Sequence, residues 1–108
     1  MDKSQLQFLI HNALIAAAKA TDKVIEDNPN QWYPCGFAWV TIRPANCAAA
    51  KVLKAMGKGS KGYRGGWQVW NPSEHPTQWM DAKYEGAKVF AQVLQAHGID
   101  AQADCRMD

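Results

Sequence analysis

At 108 residues the chain is long enough for one domain around one core and too short for two. Apolar residues make up 47% and charged residues 20%, with a net charge of +2, which excludes a disordered chain. No apolar run approaches the ~20 residues of a membrane span, and Asp2, Gln7, His11 and Asn12 break any basic-then-apolar leader pattern, so an unprocessed cytoplasmic protein is expected.

The first element reads as a helix from about Ser4 to Glu26, with Ser4 and Gln7 at capping-box spacing. Leu6, Leu9, Ile10, Ala13, Leu14, Ala17 and Ala18 follow the three-four period of one buried face. Asn28-Pro29-Asn30 stops it. Its alanines allow close approach by a neighbouring helix, in this chain or in another subunit. Cys35 to Ile42 reads as a strand, with Phe37, Trp39 and Thr41 on one face and Ala38, Val40 and Ile42 on the other. Both faces are apolar, which predicts a central strand covered on both sides. After Pro44, Asn46 can cap a short helix through Met56, with Val52, Leu53 and Met56 buried and Lys51, Lys54 and Lys58 forming a basic ridge.

Residues 57–66, GKGSKGYRGG, hold five glycines with Lys58, Lys61, Arg64 and Tyr63. The stretch fails the phosphate-loop and dinucleotide fingerprints, because the order of strand, glycines and helix is wrong. It reads either as a solvated connection or as a lid that closes on an anion. Trp67 to Trp70 is a short strand, and a third helix runs from about Thr77 to Ala96 with Trp79, Met80, Lys83, Tyr84, Ala87, Phe90, Ala91 and Leu94 along its inner side. Gln102 to Met107 forms the last strand, its Ala101, Ala103, Cys105 and Met107 inward and its Gln102, Asp104, Arg106 and Asp108 outward, the pattern of an edge. The order α-β-α-β-α-β predicts a small single-domain α+β fold with a three-stranded sheet. One sheet face is then hard to cover, so self-association as a dimer or higher homo-oligomer is expected, with the alanine-rich helix as the contact.

Charge is segregated along the chain. Residues 28–73 carry Arg43, Lys51, Lys54, Lys58, Lys61 and Arg64 and no acid, while the remaining residues carry six basic and ten acidic side chains, net −4. Either the centre meets an anionic partner or the fold brings the acidic ends back over it. Cys35, Cys47 and Cys105 are an odd set without CxxC spacing and read as buried thiols; with His11, His75 and His97 they give no local metal pattern, so no metal or cofactor is expected. Eleven aromatic residues, five of them Trp, exceed what a core of this length needs. Trp32, Tyr33 and Trp79 sit at element ends, where a ring beside a cation suits base stacking. Ser73, Glu74, His75 and Asp81 form no nucleophile arrangement, and a non-enzymatic protein is expected. Arg106 and Asp108 share one strand face, where they form either an ion pair or a reader of phosphate and ribose groups.

The segments CGFAWV (35–40), GGWQVWNP (65–72), GAKVFAQVLQAHGI (86–99) and CRMD (105–108) resemble phage anti-Thoeris sponge proteins. Members of that family counter bacterial Thoeris defence by sequestering its cyclic ADP-ribose-type signal without cleaving it; some also hold the cyclic oligonucleotides of CBASS systems, and they assemble as oligomers. The resemblance implies a cytoplasmic anti-defence protein of the infected bacterial host that binds a cyclic nucleotide. By position, Arg106 and Asp108 match the family's C-terminal Arg-x-Asp pair, and Trp79 matches a ring that stacks on adenine. Lys54 and Arg64 are placed as phosphate-facing cations, partly from the charge map, and Asn71 is the nearest candidate for an asparagine ligand or is a turn residue. Two other readings stand beside this one. The first is a small phage module that binds RNA, with no DNA expected; a pI of about 8.5 is low for it. The second is an accessory protein that binds a host protein through its tryptophans.

Overall fold

The computed structural model describes residues 1–29 and 33–108. The chain forms a small α+β domain of three helices and a four-stranded antiparallel sheet: α1 (Lys3–Glu26), β1 (Gly36–Arg43), α2 (Ala48–Ala55), β2 (Ser60–Lys61), β3 (Trp67–Trp70), α3 (Met80–Gln95) and β4 (Asp100–Met107). The strand order β2-β3-β1-β4 makes everything after α1 a βαββαβ unit, the split βαβ arrangement of ferredoxin-like domains. No described helix is long and apolar enough to cross a membrane.

Several details differ from the expectations. The sheet has four strands, because Ser60 and Lys61 pair with Gln68 and Trp67 inside the glycine stretch. That stretch is therefore the turn of a hairpin, closed by main-chain bonds from Gly62 to Gly66 and from Gly65 to Gly62. The first capping box is Asp2 with Gln5, one turn-start earlier than Ser4 with Gln7. Cys47, not Asn46, caps α2, its sulfur accepting from the Ala50 amide. The third helix begins at Met80 with Trp79 as its N-cap, since Thr77 is engaged in the preceding turn, where its hydroxyl accepts from the Trp79 amide. Met107 is exposed although its alternation pointed it inward.

All three helices lie behind one sheet face. Ala38, Val40 and Ile42 of β1, Val69 of β3 and Ala101 of β4 meet Leu9, Ile10, Ala13, Leu53, Phe90 and Leu94 in a single core. The alanine stripe of α1 is consumed here: Ala13 and Ala17 are fully buried, and α3 is the helix that approaches them. At the crossing, a Cβ on Gly86 would collide with the Thr21 hydroxyl and lie 3.0 Å from the Ala17 carbonyl oxygen. The buried Thr21 hydroxyl donates to the Ala82 carbonyl at 2.7 Å, so its polar atom is satisfied within the contact. Ala13 and Ala17 are thus taken up within the chain, while Leu14 and Ala18 of the stripe stay half-buried.

Among the described residues no helix lies on the other sheet face, so β1 is not covered on both sides there. At the free edge, β4 is protected locally. The Asp108 amide bonds Cys35, so the odd residues of β4 turn their main-chain groups outward. Two of these groups are occupied by side chains: Gln95 donates to the Ala101 carbonyl at 2.6 Å, and Asp104 accepts from the Cys105 amide at 2.8 Å.

Gly86→Ala separates two effects. Alanine gains about 1 kcal/mol of helix propensity over glycine, but its methyl overpacks the crossing, which costs about 1–3 kcal/mol. The expected result is a net loss of stability in chemical denaturation; a midpoint equal to or above the parent's would mean that the helices are not held this closely.

Candidate functional site

The uncovered sheet face carries the chemistry. Across the strands, Phe37 faces Arg106, Trp39 lies between Asp104 and Trp70, and Thr41 lies between Gln102 and Gln68. Strand alternation puts these side chains on the side away from the helices. Trp39 and Trp70 stack on each other with centroids 4.6 Å apart, and Phe37 meets Trp70 edge-on at 6.0 Å. Phe37 is 37% exposed and Trp70 43%, so the cluster is open to a ligand. A groove of about 550 Å³ runs from this aromatic wall across Thr41 and Gln68 to the hairpin tip, where Tyr63 and Arg64 stand at its rim. That volume lies within the ~300–1,000 Å³ range of small-molecule sites. Gly66 makes the hairpin's approach to β1 possible: at φ +77°, a Cβ there would lie 2.6 Å from the Thr41 methyl.

The cations on this face are uncommitted. The Arg106 guanidinium sits 5.7 Å from the Phe37 ring centre, and from α3 the buried Lys83 reaches to 5.6 Å of the same ring. Among the described residues neither Arg106, Arg43 nor Arg64 forms an ion pair. The ordinary reading of Arg106 as a partner of Asp104 or Asp108 is therefore not met. Of the six central cations only Lys58 is paired among the described residues, with Glu74 at 2.6 Å. The acidic ends meet the basic centre only in part: Glu74 pairs with Lys58, Asp100 lies opposite Arg43 across the strands and Asp104 lines the groove with Arg43 and Arg64, while Asp27, Asp22 and Glu85 face Lys23, His75 and Lys88.

The site residues expected from the sequence separate in space. Arg106 and Arg64 line the same groove. Asp108 follows on the same alternation, its amide bonded to the Cys35 carbonyl at 3.1 Å. Lys54 is elsewhere, in a second groove with Lys51, Lys61 and Trp67. Trp79 is already stacked on Tyr33, with centroids 3.7 Å apart, beside the bridge that joins Cys35 to Trp79. Trp32 lies outside the described residues. Asn71 works inside a turn at φ +46°, donating to the His75 carbonyl and accepting from the Ser73 hydroxyl. What sequence reasoning missed as site residues are Phe37, Trp39 and Trp70. Their alternation was visible, but not that the helices would leave their side of the sheet bare.

Cys105 lies on the helix side of β4, where burial first, and then the charges of Asp104 and Asp81, push its thiol up and keep it protonated. The Lys88 ammonium is held above its usual value by its hydrogen bond to Glu85, on the outer side of α3. Among the described residues no three His, Cys, Asp or Glu side chains converge as a metal set. No family model, curated protein or solved structure significantly matches the chain.

Two substitutions separate support from recognition. Asn71→Ala removes both turn hydrogen bonds at a left-handed position and is expected to lower stability by about 1–3 kcal/mol. Arg106→Ala gives up only an exposed cation–π contact and should stay within about 1 kcal/mol of the parent. Urea denaturation of both variants checks the contrast; equal losses would make Arg106 a structural residue.

Proposed function

We propose that the protein is a non-enzymatic sponge that holds a cyclic ADP-ribose-type nucleotide, or a related cyclic oligonucleotide, on its open sheet face and so withholds the signal from bacterial anti-phage defence. One observation carries this reading: two arginines without acidic partners, Arg106 and Arg64, border a groove whose wall is the stacked Trp39–Trp70 pair. A guanidinium offers a fork of donors that fits a phosphate, and an indole offers a face to an adenine. Thr41, Gln68 and Gln102 supply neutral donors and acceptors for ribose hydroxyls. Asp108, next on the alternation, supplies a carboxylate. In this arrangement the adenine-stacking role passes from Trp79, whose face is occupied by Tyr33, to the sheet tryptophans.

The face is shallow, and a tight sponge must exclude water from its ligand. A dimer or higher homo-oligomer that covers the groove meets that need. The protein would act in the cytoplasm of the infected bacterial host. The resemblance to anti-Thoeris sponges supplies the identity of the signal, and the geometry supports a phosphate-bearing nucleotide in general.

A second reading has its own observation. Aromatic side chains on the open face of a four-stranded antiparallel sheet, with helices behind, are the arrangement on which RNA-binding sheets stack single-stranded bases. An RNA ligand would show affinity that falls steeply with salt, since each phosphate contact releases a counterion.

Calorimetry against cyclic ADP-ribose isomers, cyclic oligonucleotides and single-stranded RNA decides between them. The expected result is tight binding of a cyclic nucleotide, recovered intact after heat denaturation of the protein. Arg106→Ala should weaken it by about tenfold or more, as a charged hydrogen bond is worth ~1.5–3 kcal/mol. Trp39→Ala or Trp70→Ala should lose the ~1–3 kcal/mol of a stacked base. A hydrolysed ligand would make the protein an enzyme, and RNA binding alone would make it an RNA module.

A further inference from the structure

We propose that the groove between α2 and the β2–β3 hairpin is a second anion site, separate from the sheet face, that takes a compound carrying two or more phosphate groups. The groove has a volume of about 460 Å³. Lys51 and Lys54 enter it from α2 and Lys61 from β2, with Trp67 as a wall and Asn46 at the loop before the helix. It shares no lining residue with the groove on the open face.

Three observations point to a ligand. First, none of the three lysines forms an ion pair among the described residues. Second, the placement of Lys51 is adverse for folding alone. Lys51 and Lys54 are like charges one helical turn apart, a destabilising spacing. Lys51 also lies in the first half of α2, toward the positive end of the helix dipole, and no acid occupies the first turn to offset it. A bound polyanion removes both penalties at once. Third, the wall is built in place. The Trp67 indole N–H donates to the Lys58 carbonyl at 3.0 Å, and Lys61 sits directly opposite Trp67 across the strands. At Gly59, φ +90°, a Cβ would lie 2.5 Å from the indole nitrogen, so only glycine lets the chain pass over the ring.

The residue types define the ligand class. Lysine is a compact point charge without arginine's planar fork, so three lysines read charge rather than orientation. One phosphate monoester carries about −1.5 to −2 at neutral pH, and three ammonium groups are matched by two or more phosphates. The sheet face, with arginines and stacked rings, is the more selective of the two sites.

Inorganic triphosphate is the probe. Titrated into the full chain at low salt, it should bind, shift the Trp67 indole N–H resonance, and release as salt is raised. Lys51→Gln/Lys54→Gln keeps the exposed stems and removes the charges; it should weaken binding by about tenfold or more. Lys61→Gln, on a different element, should lower affinity in the same direction. Arg106→Ala should leave triphosphate binding within about twofold, since distant sites act independently. Triphosphate binding that survives Arg106→Ala supports this site whether or not cyclic nucleotides bind the sheet face. No binding by the parent chain, an unmoved Trp67 resonance, or equal losses in the lysine and Arg106 variants would overturn the proposal.

Discussion

The close crossing of α1 and α3 at Gly86 governs how the sheet is used. Two helices of 24 and 16 residues can lie side by side behind a narrow sheet only if their axes come near, and small side chains permit that. Ala13 and Ala17 supply it from α1, and Ala82, Gly86 and Ala87 from α3. The Thr21 hydroxyl, donating to Ala82, lets a polar residue lie in the contact without a desolvation penalty. Both long helices are thereby committed to one layer, and α2 joins them there. Nothing in the described chain is left to cover the opposite face, so Phe37, Trp39 and Trp70 remain accessible in spite of their size.

The same distribution sorts the charges of the sequence. Beside the long helices Asp27 faces Lys23, Glu85 faces Lys88 and Asp22 faces His75, while Asp100 and Asp104 lie on β4. The turn at 71–75 contributes the one ion pair to the basic centre among the described residues, Glu74 with Lys58. The other central cations divide by strand and helix geometry into an arginine set on the open face and a lysine set beside α2. A basic stretch that is continuous in sequence becomes two surfaces with different chemistry.

Much of the fold was legible in the sequence. The heptad-like spacing of α1, the alternation of Phe37, Trp39 and Thr41 against Ala38, Val40 and Ile42, and the inward alanines of β4 all describe elements that exist. Strand β2 was hidden because two residues, Ser60 and Lys61, carry no alternation, and the glycines around them suggest a loop. Those glycines answer to close approach: Gly59 passes over the Trp67 indole and Gly66 over the Thr41 methyl. The candidate site was half legible. Arg106 and Arg64 are brought to one groove from positions 42 residues apart, which only the β3-β1-β4 pairing achieves. Lys54 could not be separated from them by spacing alone, because periodicity describes the face of a helix and not which side of the sheet that helix will occupy.

Ser73, His75 and Asp104 each use a polar side-chain atom to hold the local main chain. The Ser73 hydroxyl donates to the Asn71 side chain, and His75 accepts from the Thr77 amide at Nδ1. Both hold the turn that leads into α3. Asp104, the one carboxylate among the residues lining the open groove, accepts from the Cys105 amide at the sheet edge. What remains facing the groove are guanidinium groups, a hydroxyl, amides and aromatic rings, which attract, stack and hydrogen-bond. Affinity on such a face depends on preorganisation, and the cross-strand register provides it. Trp39 and Trp70 are fixed by direct pairing, and Arg106 is held against Phe37 in a neighbouring position, so the rings and the charge of this face are already in place.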